Sequence, residues 1–247
     1  AHQNKAPPGA FSFPGFFAST AALEQSRVRA IEFAVRFFDL DAVDVDDRLL
    51  SVEERERVAR KATPALRQRQ AASFHCLRLT LGEVLGLAPA ALAFRIETTG
   101  KPVLAGGGLH FNVSHSGGIG FLAWGPRELG ADVEALIARP SDGLAEEILS
   151  ANELAAWRGL DASRRQAALT RAWTRKESTL KAIGSGLRIA PRTVEVGRFW
   201  QEPDAPDAPT TLQWTHEHEG RRWHGFEGFE GVPEGYRAAV CLEAHGG

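Results

Sequence analysis

The chain has 247 residues, 43% of them hydrophobic and 24% charged, with a formal net charge of −2. That length fits one or two compact units, and the composition is that of a globular protein. The near-neutral charge argues against a general nucleic-acid or membrane-surface binder, and no apolar run approaches the roughly 20 residues needed to span a bilayer.

No secretory signal is visible at the N-terminus, and Cys76 and Cys241 are too few for a disulfide framework, so a cytoplasmic protein is expected. The chain contains no methionine.

Residues 1–22, rich in Pro, Gly, Ala and Phe, read as an irregular arm whose phenylalanines pack against the body. Ile31 to Leu40 reads as a strand, and Asp39 to Asp47 as a solvated acidic loop. Ser51 and Glu54 have capping-box spacing and open a helix to about Lys61. A longer helix, Pro64 to Leu85, carries Leu66, Phe74, Leu77, Leu81 and Leu85 as its apolar stripe. Strands follow at Ala93–Glu97, His110–Ser114 and Gly120–Trp124, with a glycine turn at residues 106–108.

After Pro126 the pattern starts again. A strand is expected at Leu129–Leu136 and short helices at Leu144–Ile148 and Asn152–Leu160, the second opened by another capping box, Ser150 to Glu153. A long helix from about Ser163 to Ile183 ends at Gly184. Strands at 193–196, 210–215 and 236–242 close the chain. These elements suggest an α+β protein of two parts, residues 1–125 and 126–247.

The chemistry concentrates in the second part. Alternate residues of a strand face one side, so Asp132 and Glu134 can aim two carboxylates at one point. Residues four apart in a helix share a face, so Trp173, Glu177 and Lys181 form one stripe. Three acids and a lysine on two elements suit a hard divalent cation, and Mg²⁺ prefers a few carboxylates completed by waters and phosphate oxygens. His216 and His218 have strand spacing but no evident third ligand, which favours an ordinary surface pair over a metal site.

From about Ser51 to Ala244 the chain resembles the 4′-phosphopantetheinyl transferase family, in its larger monomeric form. The resemblance rests on Gly100-Lys101-Pro102, Phe111-Asn112-Val113-Ser114-His115-Ser116, Gly130-Ala131-Asp132-Val133-Glu134, and Trp173-Thr174-Arg175-Lys176-Glu177 followed by Lys181, Gly184, Gly186 and Leu187. Ala131 stands where a branched aliphatic residue is usual and Ser178 where alanine is usual, and neither removes a functional group.

The resemblance implies a pseudo-dimer of two similar α/β subdomains with the active site between them. It implies transfer of 4′-phosphopantetheine from coenzyme A to a serine of an acyl or peptidyl carrier protein, with Mg²⁺. Asp132, Glu134 and Glu177 would hold the metal. Glu177 would also serve as general base, and Lys181 would contact the pyrophosphate. Ser114 and His115 would meet the nucleotide, the histidine near the 3′-phosphate. Lys101, Arg69 and Arg57 would supply further charge at that end. Trp173 is expected to support the core. The competing readings are a catalytically inactive coenzyme A- or carrier-binding relic, which would have lost part of the acid set, and an unrelated Mg²⁺-dependent phosphohydrolase.

Overall fold

The computed structural model describes residues 16–19, 33–185, 188–201 and 212–244. Most of the 1–22 arm, including Phe11 and Phe13, and the motif residues Gly186 and Leu187 lie outside them. The architecture is α+β, built on two four-stranded antiparallel sheets.

The first sheet contains β1 (Phe16–Ser19), β2 (Ala34–Asp39), β5 (His110–Ser116) and β6 (Ile119–Gly125), in the order β1-β2-β6-β5. Between β2 and β5 come α1 (Val52–Ala59), α2 (Pro64–Leu85) and a small hairpin of β3 (Phe94–Ile96) and β4 (Pro102–Leu104). Ser51 and Glu54 form both bonds of the expected capping box. Thr63 caps α2, with Pro64 in its first turn. Leu77 and Leu81 of α2 are buried against Phe38, Phe111 and Leu122, but Leu66 is 46% exposed and points away from that core.

The second sheet contains β7 (Leu129–Ala135), β8 (Trp214–His218), β9 (Arg221–Glu227) and β10 (Tyr236–Glu243), in the order β7-β10-β9-β8. The short helices α3 (Asp142–Ile148) and α4 (Ala151–Arg158) precede the long helix α5 (Ala162–Ile183). Gly184 ends α5 in the left-handed conformation, φ 73°. Leu169, Ala172 and Leu180 of α5 pack with Trp214, Trp223 and Cys241.

The strand expected at 193–196 is instead a 3₁₀ turn, Pro191–Thr193, followed by extended chain. Val194 and Val196 are buried, but their backbone groups pair with side chains. Val194 O accepts from Lys176, Val196 N donates to Glu153, and Val196 O accepts from Arg175. With these groups satisfied, no strand ladder is needed. The strand expected at 210–215 begins at Trp214 and runs to His218, and residues 202–211 lie outside the described chain. Strand β9 was not anticipated. It returns from β8 through a two-residue turn in which Glu219 and Gly220 have φ of 49° and 76°.

The faces of the two sheets turned away from α2 and α5 pack against each other. Val35, Phe37, Phe121 and Ala123 of the first sheet join Leu129, Ala131, Val133, Ala238 and Val240 of the second in one core cluster. The layer order is therefore α2, first sheet, second sheet, α5. Strands with both faces buried have no polar alternation, as the run Ile119–Gly125 illustrates. Among the described residues no helix is long and apolar enough to cross a membrane.

Candidate active site

The site forms where the edge strands β5 and β7 meet beneath α5. Asn112 Oδ1 accepts from Ala131 N at 2.9 Å and fixes the register of the two strands. Two residues on, Ser114 Oγ donates to Asp132 Oδ1 at 2.8 Å, and two further on, Ser116 Oγ donates to Glu134 Oε2 at 2.8 Å. Strand periodicity thus gives each acid of β7 its own hydroxyl donor from β5. Strand β5 runs to Ser116, two residues past the expected end at Ser114, so His115 also lies within the strand.

Helix α5 crosses β7 at very short range. A Cβ built on Gly130 would stand 2.2 Å from both Ser178 O and Ala182 N, which are backbone atoms. Only glycine permits that approach. It brings the stripe of α5 onto the acids. Lys181 Nζ donates to Asp132 Oδ1 at 2.5 Å and to Ser114 Oγ at 3.1 Å, and Trp173 Nε1 donates to Glu134 Oε1 at 3.2 Å. Trp173 is therefore more than core support, because it orients a carboxylate. Glu177 lies between these two contacts on the helix, half-buried.

Two buried ion pairs hold α5 in this rotation. Arg175 donates to both oxygens of Glu227, at 3.0 and 2.5 Å. Lys176, fully buried, donates to Glu153 Oε2 at 2.6 Å. Glu153 is also the acid of the α4 capping box, so one carboxylate caps α4 and anchors α5.

Burial strains the acids electrostatically. Asp132 is 1% exposed. Desolvation raises its proton affinity, Lys181 and Ser114 offset part of that, Glu134 adds to it, and the pKa stands at about 7. Burial also raises the pKa of Glu177, opposed by Lys181 and reinforced by Glu134. Asp132 Oδ2 is buried and has no hydrogen-bond partner among the described residues. A bare carboxylate oxygen beside two further acids is the donor chemistry of a hard cation. Among the described residues no three of His, Cys, Asp and Glu enclose a cation by themselves, so waters or substrate oxygens would have to complete its shell. The residues fit a Mg²⁺ held in that partial manner.

His115 points away from Ser114 and Ser116, toward a recess of about 170 Å³ lined by Lys61, Leu66, Arg69, Gln70, His115 and Gly117. Crowding by the surrounding protein, then the charge of Lys61, hold His115 below its usual pKa. Arg69 donates to both oxygens of Asp41 at 2.7 Å. Asp41 lies in the acidic loop, so that loop supplies partners as well as solvated charge.

Arg57 is exposed on α1 and does not line the recess. Lys101 is also absent from it. Its ammonium donates to Glu128 Oε2 at 3.0 Å and to Leu129 O at 2.9 Å, and ties the chain before β4 to the start of β7. The structure thus brings together Asp132, Glu134, Glu177, Lys181 and Ser114, with Arg69 and His115 in the adjoining recess. Sequence reasoning missed Ser116, Lys61 and Asp41. The alternation of Ser114 with Ser116 was a usable signal for the first.

The sequence is similar to known proteins. Residues 128–241 match the family model of the 4′-phosphopantetheinyl transferase superfamily. The 4′-phosphopantetheinyl transferase HetI of Nostoc sp. is 37% identical over 56% of this chain and 61% of its own length. A Synechocystis relative is 32% identical over 56% of this chain and 58% of its own length. The chain thus spans about three fifths of these two relatives. The 4′-phosphopantetheinyl transferase Sfp of Bacillus subtilis is 28% identical over 79% of this chain and 88% of its own length. The segment carrying β7 with its two acids and α5 with Glu177 and Lys181 lies within the stretch that matches the 4′-phosphopantetheinyl transferase superfamily model.

Proposed function

We propose that the protein transfers the 4′-phosphopantetheine arm of coenzyme A to a serine hydroxyl of an apo acyl or peptidyl carrier protein, releasing adenosine 3′,5′-bisphosphate. The observation that carries this reading is the convergence of Asp132, Glu134, Glu177 and Lys181 within the segment that matches the superfamily. A binding relic has no need to keep Asp132 and Glu177 buried at such electrostatic cost.

In this reading the serine oxygen attacks the phosphorus that carries the pantetheine arm, and the bond to the bridging pyrophosphate oxygen breaks. Glu177 accepts the serine proton. Burial raises its proton affinity, which suits a base near neutral pH. Lys181, steered by Asp132 and Ser114, meets the charge that develops on the leaving phosphate. Ser116 and Trp173 hold Glu134 from both sides, so the acids need no reorganisation during the reaction. Asp132, Glu134 and Glu177 would hold the Mg²⁺, which supplies Lewis-acid neutralisation of the pyrophosphate. His115 and Arg69 would receive the 3′-phosphate in the adjoining recess. Two subdomains divided at residues 125 and 126 would work as one monomer with the site between them.

Intact-mass measurement of several apo carriers, incubated with coenzyme A and Mg²⁺, tests the proposal. A gain of one phosphopantetheine arm on the carrier is expected. Release of nucleotide from coenzyme A without any carrier would instead indicate a phosphohydrolase.

A further inference from the structure

The recess beside His115 contains two cations in different states. Lys61 lines it, and its ammonium has no hydrogen-bond or ion-pair partner among the described residues. Arg69 lines it too, but Asp41 holds its guanidinium through two bonds of 2.7 Å. Asp41 is itself fixed in place. Its backbone N–H donates to Asp39 Oδ1 at 3.1 Å, and Gly118 packs so closely that an added Cβ would lie 2.6 Å from Asp41 Oδ2.

We propose that Lys61 reads the terminal phosphate monoester of the nucleotide in this recess, and that Asp41 competes with that phosphate for Arg69 and so sets how strongly it is preferred. The inference rests on the reading of the recess given above and adds two residues to it. Lys61 is the cation that needs no rearrangement to meet a dianion. The Asp41–Arg69 pair is half-exposed, with side-chain exposures of 52% and 31%. Pairs of that kind shift an equilibrium only about two- to fivefold. A charge-assisted bond to phosphate is worth about ten- to a hundredfold, so an arriving phosphate can draw Arg69 away.

The test is calorimetric titration of the whole protein with adenosine 3′,5′-bisphosphate and with adenosine 5′-monophosphate, which lacks the second phosphate. The wild type should prefer the bisphosphate by at least about tenfold. Lys61→Gln should narrow that preference about tenfold while leaving the monophosphate affinity within about twofold. Asp41→Asn should widen the preference about two- to fivefold, because the competitor has lost its charge. A gain of affinity is an outcome that loss of structure cannot mimic. If both nucleotides bind and neither variant changes the preference, or if Asp41→Asn narrows it, the assignment of Lys61 and Asp41 is overturned while the coenzyme A reading stands. If neither nucleotide binds the wild type, both fall.

Discussion

Asp132→Asn should abolish transfer and at the same time make the folded protein more stable. The folded chain keeps Asp132 buried with a pKa near 7, raised from an ordinary value of 3.8. Between those two values the folded state binds more protons at this site than the unfolded state does. Stability therefore falls as pH rises from about 4 to about 7 and stays low above it. The full cost at pH 8 is about 4 kcal/mol. Asparagine mimics the neutral acid and escapes that cost, but its amide N–H groups lack partners, which costs back about 1–3 kcal/mol. The net gain is about 1–3 kcal/mol, or about 3–10 °C in Tm for a chain of this size. Thermal melts at pH 5 and pH 8, with and without Mg²⁺, provide the assay. The variant's advantage should be full at pH 8, shrink at pH 5, and diminish when Mg²⁺ is added, since the cation rewards only the ionised wild type. A variant that melts below the wild type at pH 8 without cation would refute the argument that Asp132 is held at an electrostatic cost.

Glu177→Gln should lower kcat at least about a hundredfold while coenzyme A affinity stays within a few fold. Collapse of binding in calorimetry would make Glu177 chiefly a metal ligand. Gly130→Ala should push α5 off β7, costing about 1–3 kcal/mol of stability and about a hundredfold in kcat. Unchanged kinetics would mean that the contact between strand and helix is not what positions Lys181. Lys176→Met should destabilise by about 3–5 kcal/mol, because it leaves Glu153 buried and unpaired. Adding Glu153→Gln should recover part of that loss in denaturant titrations.

Helix α2 was legible to the residue and α5 to within one, because Thr63, Pro64, Gly86 and Gly184 punctuate them by local chemistry. The acids of β7 and the stripe of α5 were legible for a related reason. Strand and helix periods fix which side chains share a face before any tertiary contact forms. The segment at 193–196 was misread because its alternating valines suggest a strand, while its backbone is satisfied by Lys176, Glu153 and Arg175 from distant elements. Lys61 and Asp41 were invisible for the same reason. Both sit in loops: Lys61 lines the recess beside His115, and Asp41 acts there only through its bonds to Arg69. Lys101 shows the converse, since a match to a binding motif did not reveal that its ammonium is spent on Glu128 and Leu129.

The seam between β5 and β7 ties the candidate site to the integrity of the whole molecule. Ser114 and Ser116 come from one sheet, the acids they steer come from the other, and the same two sheets enclose the central apolar cluster. Parting them by even a single side-chain width would wet that cluster and disconnect both hydroxyls together. Turnover in rising denaturant should therefore persist until the global transition and vanish with it. A ligand that wedges the seam open would act by unfolding the protein, and would never need to reach the recess beside His115.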